Sequence, residues 1–380
     1  MARRAIPRAR LISAIGIATA LTLFSASTAM AQCIDVAAAV PVVRLKSMAR
    51  GINLAGQFDG DVRALLHEDL LRALYQQGMR HIRLPVPAES VMSAFSSSDV
   101  TDRQLAKLTR YVGELIAMGY VVTIDLHPGD AFQALHRTKP AEALNALKDA
   151  WNKLAPVVRR FPADKVFAEL LNEPDVSPEQ WRSDLRQLAA FVRQKLHETT
   201  LVVGPVNWQR ADSLPGFEPL DDRNVVYAIH FYDPMAFSHQ GHWDPNDPLS
   251  EIRDLPFPVR RDDAPVAQLR AKLAADQKTK ALHELDMALA MSERGDVVWN
   301  QLQPALEWRA KYRRPLVINE FGVFKQHAPR ASRARWLGNV TSFAEANCIG
   351  WAHWEFAQGF GLLTNDQKLD EPIVRALLGK

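Results

Sequence analysis

The chain has 380 residues, of which 47% are apolar and 23% charged, and a formal net charge of +3. That make-up is typical of a folded globular protein and excludes a disordered or fibrous one. Four of the arginines, Arg3, Arg4, Arg8 and Arg10, stand at the extreme N-terminus, so the rest is near neutral and lacks the basic stripe of a nucleic-acid binder.

In chain order, "ARRAIPRAR" is a positive segment, "LISAIGIATALTLF" an apolar one, and "ASTAMA" ends in small residues before Gln32. This is the pattern of a cleaved secretory signal over residues 1–31. The apolar stretch is short for a bilayer span of ~20 residues, so no membrane association is expected once the signal is removed. Export, to the periplasm or the medium, permits a disulfide between the two cysteines, Cys33 and Cys348, although Cys348 could equally be a small core residue. An N-terminal extension (32–45) and one domain (46–380) are expected to follow, with no linker to an appended module.

Short apolar runs then alternate with amphipathic patterns. The strand candidates are 49–56, 81–86, 120–127, 165–172, 200–208, 224–232, 315–320 and 349–356. Several are β-branched and nearly continuous in apolar character, as strands covered on both faces should be. Between them, residues 61–78 place Val62, Leu65, Leu66, Leu70, Leu71 and Leu74 on one helical stripe that Gly78 stops. Ser177 is a natural N-cap for a helix with Glu179 in its first turn. Eight strands alternating with helices in one domain predict an α/β fold, a single (β/α)8 TIM barrel. The connection from Asp233 to Arg314 is far longer than the others. It predicts an elaborated β6–α6 region walling a cleft, with helices around 265–293 and 297–312.

The polar residues gather at strand ends. They are Arg83 on the second strand, His127 on the third, Asn172 and Glu173 on the fourth, His230 and Tyr232 on the sixth, Glu320 on the seventh and Trp354 on the eighth. In a barrel these positions converge on one mouth. Two carboxylates on opposed strands, Glu173 and Glu320, can cleave an acetal, one protonating the leaving oxygen while the other attacks or stabilises the anomeric carbon. Because two neighbouring carboxylates do not both ionise freely, one is expected to have a raised pKa and serve as acid. Arg83 and Tyr232 suit a role in holding the nucleophile, Asn172 suits a sugar hydroxyl, and Trp354 offers a flat face. Trp208, at the end of the fifth strand, is an additional stacking candidate, and Trp243 and residues 233–263 are expected to shape subsites. No cofactor or metal is called for.

These motifs resemble glycoside hydrolase family 5, the cellulase family of clan A. "RGINLAG", "HIRLPV", "TIDLHPG", "ELLNEP", "AIHFY", "VINEFG" and "WAHWEFAQGFGL" follow one another in the family's order over nearly all of the mature chain. The resemblance implies a retaining double displacement with Glu320 as nucleophile and Glu173 as acid/base, the carboxyl groups ~5–5.5 Å apart. It implies a β-linked polysaccharide or oligosaccharide substrate and, from the "WEFAQGFGL" ending, an endo-β-1,4-glucanase. Family members acting as β-mannanases or exo-β-1,3-glucanases, a transglycosylase, and a catalytically silent carbohydrate-binding barrel are the alternatives. A monomer is expected.

Overall fold

A strand that is apolar on both faces must be covered outside by helices and inside by other strands, and this chain satisfies both needs by closing on itself. The computed structural model describes residues 40–58 and 67–379. Its strands are β1 (Arg50–Asn53), β2 (His81–Pro87), β3 (Val121–His127), β4 (Val166–Glu169), β5 (Leu201–Val203), β6 (Val225–Phe231), β7 (Leu316–Phe321) and β8 (Gly350–His353). Each runs parallel to its neighbour, and β8 pairs with β1 to close the barrel. The expected (β/α)8 architecture is therefore present.

The helices form the outer layer for local reasons as well as global ones. Ser177 caps the Pro178–Arg193 helix by accepting from the Gln180 N–H at 3.2 Å, and Gly78 ends the Glu68–Gln77 helix at φ 118°. Leu71 and Leu74 of the latter are fully buried. Leu70 of the expected stripe is partly buried against the core, and Val62, Leu65 and Leu66 lie outside the described residues, as do the signal segment 1–31 and Cys33. Cys348 itself is not a free thiol. No described helix is long and apolar enough to cross a membrane.

The barrel interior has two storeys. Below, Val121, Phe167, Val202, Val226, Ala228 and Val317 form a separate apolar cluster with Val40 and Met48. The helix Val42–Ser47 leads into this plug, with Leu45 packed against it, and so crosses the boundary at residue 46 between extension and domain. Above, the inward positions of the same strands turn polar.

Two strand ends differ from expectation. β4 stops at Glu169, so Asn172 and Glu173 sit on the loop beyond it. β5 stops at Val203, because Gly204 and Pro205 follow and proline has no N–H for the ladder. Trp208 therefore belongs to a loop and does not end a strand. The long β6–β7 connection holds three long helices, Ala264–Ala275, Thr279–Glu293 and Val297–Tyr312, the middle one packed on two single-turn helices, Met235–Ser238 and Pro248–Glu251.

Candidate active site

Strand alternation sends every second side chain inward, and on three neighbouring strands those residues are Arg83, Asp125 and Glu169, all fully buried. The Arg83 guanidinium donates through Nε and Nη2 to the two oxygens of Glu169, at 2.7 and 2.9 Å. Its remaining hydrogens reach Asn53 Oδ1 at 3.0 Å, Asn172 Oδ1 at 2.7 Å and Glu320 Oε1 at 2.5 Å, with Asp125 Oδ2 3.0 Å away. One cation thus orders three carboxylates and two amides. Burial works against its charge, but Asp125, Glu169 and Glu320 together raise the Arg83 pKa well above its ordinary value. Glu169 is pushed up, by burial first, against the pull of Arg83.

β7 delivers two consecutive residues to this interior because its pairing with β6 slips at Ile229/His230: Ile229 faces Ile318, and His230 already faces Glu320. Asn319 donates to Glu169 at 2.9 Å, while Glu320 rises to the mouth. There Tyr232 donates its hydroxyl to Glu320 Oε2 at 3.1 Å, and the other oxygen accepts from Arg83. His230 Nδ1 lies 2.7 Å from Glu173 Oε1 and 3.5 Å from Glu320 Oε2. One ligating atom each of Glu173, His230 and Glu320 lie within 4.8 Å of one another, the one such grouping able to hold a metal among the described residues.

The imidazole between the carboxylates changes the expected acid–base balance. Burial lowers the His230 pKa, but the charges of Glu320 and Glu173 and the hydrogen bond to Glu173 raise it by more. Burial pushes Glu173 up, yet the hydrogen bond and charge of His230, followed by His127 and Arg83, hold its carboxyl below the ordinary value. The proton therefore resides on His230 and Glu173 is its acceptor. The expected acid, Glu173, is thus held low and not raised; the carboxyl that burial does raise is Glu169, beneath the mouth and outside the facing pair. Tyr232 stays a phenol, because burial and then the charges of Glu320 and Glu173 raise its pKa well above 10.0.

Around this centre lies a cleft of about 690 Å³, lined among others by His127, Asn172, Trp208, Tyr232, Trp243 and Trp354. His127 stacks on Trp354 with ring centroids 5.7 Å apart, and Asp125 Oδ2 accepts from its Nδ1 at 2.8 Å. Asn172 gives its oxygen to Arg83, which leaves the amide nitrogen toward His127 and the cleft. Trp208 and Trp243 are 66% and 64% exposed, unusual for tryptophan and suited to a flat partner. Thus Arg83, His127, Asn172, Glu173, His230, Tyr232, Glu320 and Trp354 all meet at one mouth, with Trp208 on its wall.

A model of the cellulase family (glycosyl hydrolase family 5) matches residues 49–359. The chain belongs to that family. Among known proteins it is 25% identical over 353 residues to Endoglucanase 3 of Fibrobacter succinogenes, covering 88% of this chain and 53% of that protein. It therefore spans only about half of that relative. It is 26% identical over 345 residues to Endoglucanase C of Acetivibrio thermocellus, covering 85% of this chain and 95% of that one. The endoglucanase Cel5A of Thermotoga maritima superposes with a TM-score of 0.69 at 23% identity, covering 89% of this chain and 99% of its own. The cellulose synthase subunit Z of Clostridioides difficile gives 0.68 at 21%, covering 87% and 99%. At that identity the two structures speak for the shared fold.

Within this family fold, sequence reasoning missed Asn53, Asp125, Glu169 and Asn319, which form the floor under the mouth. Parity was the available signal: Glu169 lies two residues beyond the interior Phe167, and Asp125 two before His127. Also missed was Gln209, fully buried beside Glu173, which only the loop geometry brings there. His239, half-buried against Tyr232, is a further cleft residue; desolvation, then His242, lowers its pKa to about 3, so it stays neutral.

Proposed function

We infer that the chain is a retaining endo-β-1,4-glucanase in which Glu320 is the nucleophile and Glu173 the acid/base. The observation that carries this reading is the approach of Glu173 and Glu320 oxygens to within 4.8 Å across the mouth. That suits direct attack, which uses carboxyl groups ~5–5.5 Å apart, and leaves no room for the water that an inverting gap of ~6.5 Å or more accommodates. The environments of the two groups support the division of labour. Glu320 is gripped by Arg83 and Tyr232, which orients an ionised oxygen for attack. Glu173 is partnered by the proton-bearing His230.

In the first step Glu320 bonds to the anomeric carbon as the glycosidic C–O bond breaks. The proton held between His230 and Glu173 passes through Glu173 to the departing oxygen. Esterification also removes the Glu320 charge, one of the two that keep His230 protonated, which favours release of that proton, and the pair, having given it up, can take another. Glu173 takes it from the incoming water, which cleaves the ester and frees Glu320. Trp354 provides the floor for the reacting sugar and Asn172 a donor for a neighbouring hydroxyl. The endo mode and the β-glucan substrate rest on the endoglucanase relatives and on an open cleft walled by exposed tryptophans. Residues 1–31 act as the export signal, and N-terminal sequencing of the mature protein should begin at Gln32.

The test is reducing-sugar release from carboxymethylcellulose, barley mixed-linkage glucan, glucomannan and a β-1,3-glucan, with Glu320→Gln beside the wild type. Release from the first two is expected, falling by at least about a thousandfold in the variant while oligosaccharide binding by calorimetry persists. Release from glucomannan or β-1,3-glucan alone would move the substrate and keep the chemistry. Undiminished turnover in Glu320→Gln would remove Glu320 from its role.

A further inference from the structure

Glu173 stands in a backbone conformation that side chains other than glycine seldom adopt, at φ 40°, just before Pro174. Something must hold it there. Its carbonyl accepts from Gln133 Nε2 at 2.8 Å, and its N–H donates to Gln209 Oε1 at 3.1 Å. Two glutamine side chains therefore clasp the main chain on either side of one residue.

Of the two, Gln209 is the more unusual. It ends a run of three left-handed residues, Asn207, Trp208 and Gln209, with φ of 59°, 53° and 52°. That run turns Trp208 outward and Gln209 inward, where it is fully buried. Its carbonyl accepts from the His230 N–H at 2.9 Å. One residue thus touches the main chain of both members of the Glu173–His230 pair, whose side chains meet at 2.7 Å. The amide nitrogen Nε2 of Gln209 is buried without a partner. The glutamine is a poor choice for packing, since it leaves a donor unmet, and its single side-chain hydrogen bond goes to Glu173. Room for it is made by Gly204: a Cβ there would lie 1.9 Å from Nε2.

We propose that Gln209 is a positioning residue for the acid/base, fixing the main chain of Glu173 so that its carboxyl stays on His230 and in line with the leaving oxygen. This rests on the assignment of Glu173 above. It predicts a defect specific to proton donation. Bonds whose leaving group needs protonation should suffer, and bonds to a leaving group that departs unaided should not.

The experiment compares Gln209→Met, which keeps the volume and removes the acceptor, with Gln209→Glu, which restores an acceptor, and with the wild type. Each is assayed on a cello-oligosaccharide and on 2,4-dinitrophenyl cellobioside. For Gln209→Met, kcat on the oligosaccharide should fall about tenfold or more, as expected for a small misplacement of a reacting group, with little change on the aryl substrate. Gln209→Glu should recover most of the loss. The melting temperature of Gln209→Met should change little, because the unmet donor of Gln209 is exchanged for another, the Glu173 N–H. Equal losses on both substrates, or none, with an active wild type would overturn this inference and leave the proposed function standing. A wild type inert on both would take down the two together. Should Gln209→Met not fold, Gly204→Ala, which displaces the Gln209 side chain, decides the matter by the same pair of rates.

Discussion

The lower and upper halves of the barrel interior are built by the same strands and obey opposite rules. Below, Val121, Phe167, Val202, Val226 and Val317 fill the space with apolar volume under the Val42–Ser47 helix. Above, two to four positions further along three of these strands, a single guanidinium holds Asp125, Glu169 and Glu320. The lower half gains stability from every atom it buries. The upper half desolvates four charged groups, a cost that hydrophobic replacements would avoid. The difference teaches that the charge network is kept for what it orients.

Breaking the upper half should cost most. Arg83→Met leaves three carboxylates without their cation and should lower unfolding stability by about 3–5 kcal/mol in denaturant titration, with activity abolished. Adding Glu169→Gln to it should recover part of the stability and none of the activity; recovery of turnover would mean that Arg83 is structural only. Phe167→Ala, in the plug, should also cost about 3–5 kcal/mol, but turnover per folded molecule at low temperature should stay within a fewfold of the wild type.

The pH dependence separates the halves more finely, because the histidine of the lower one, His81 beside Phe167, is held at about 3 by burial and then by Arg83 and stays neutral above that. His230 has a folded pKa raised above 6.5, so its contribution is complete below 6.5 and fades as pH rises through the folded value. Glu173 has a folded pKa below 4.5, so its contribution is complete above 4.5 and fades as pH falls through the folded value. Together they stabilise most between about 4.5 and 6.5, and His230→Asn should flatten the melting-temperature profile across that window. A profile unchanged by the substitution would contradict the pairing. The smallest effect belongs to the rim: Trp208→Ala should leave stability unchanged and raise KM on glucan severalfold, about 1 kcal/mol of stacking.

The barrel was legible because apolar strands and their helices carry strong periodic signals, and eight of them in one domain leave few closed arrangements. The strand-end residues were legible because an acid, amide or histidine after an apolar run is conspicuous. The floor was not: Glu169 within "FAELLNEP" reads as part of the run, and only its inward parity tells it from its neighbours. The direction of the Glu173 pKa depended on His230, which stands 57 residues away in sequence and reaches the pair through strand geometry. Gln209 was hidden by a turn whose left-handed conformation no glycine announces.

The cleft wall formed by the β6 and β7 connections is an interlocked piece. Gly241, at φ 66°, lies so close to His327 that a Cβ there would come 2.0 Å from the imidazole. Trp243 bridges the two connections: its ring leans on His242 from its own loop and on Phe324 from the next.

 Trp243 is braced from both connections at once. Altering what this enzyme accepts is therefore a problem of exchanging paired parts. A graft of residues 239–263 alone would arrive without its counterpart at 324–327, whereas the two segments moved together carry their fit with them.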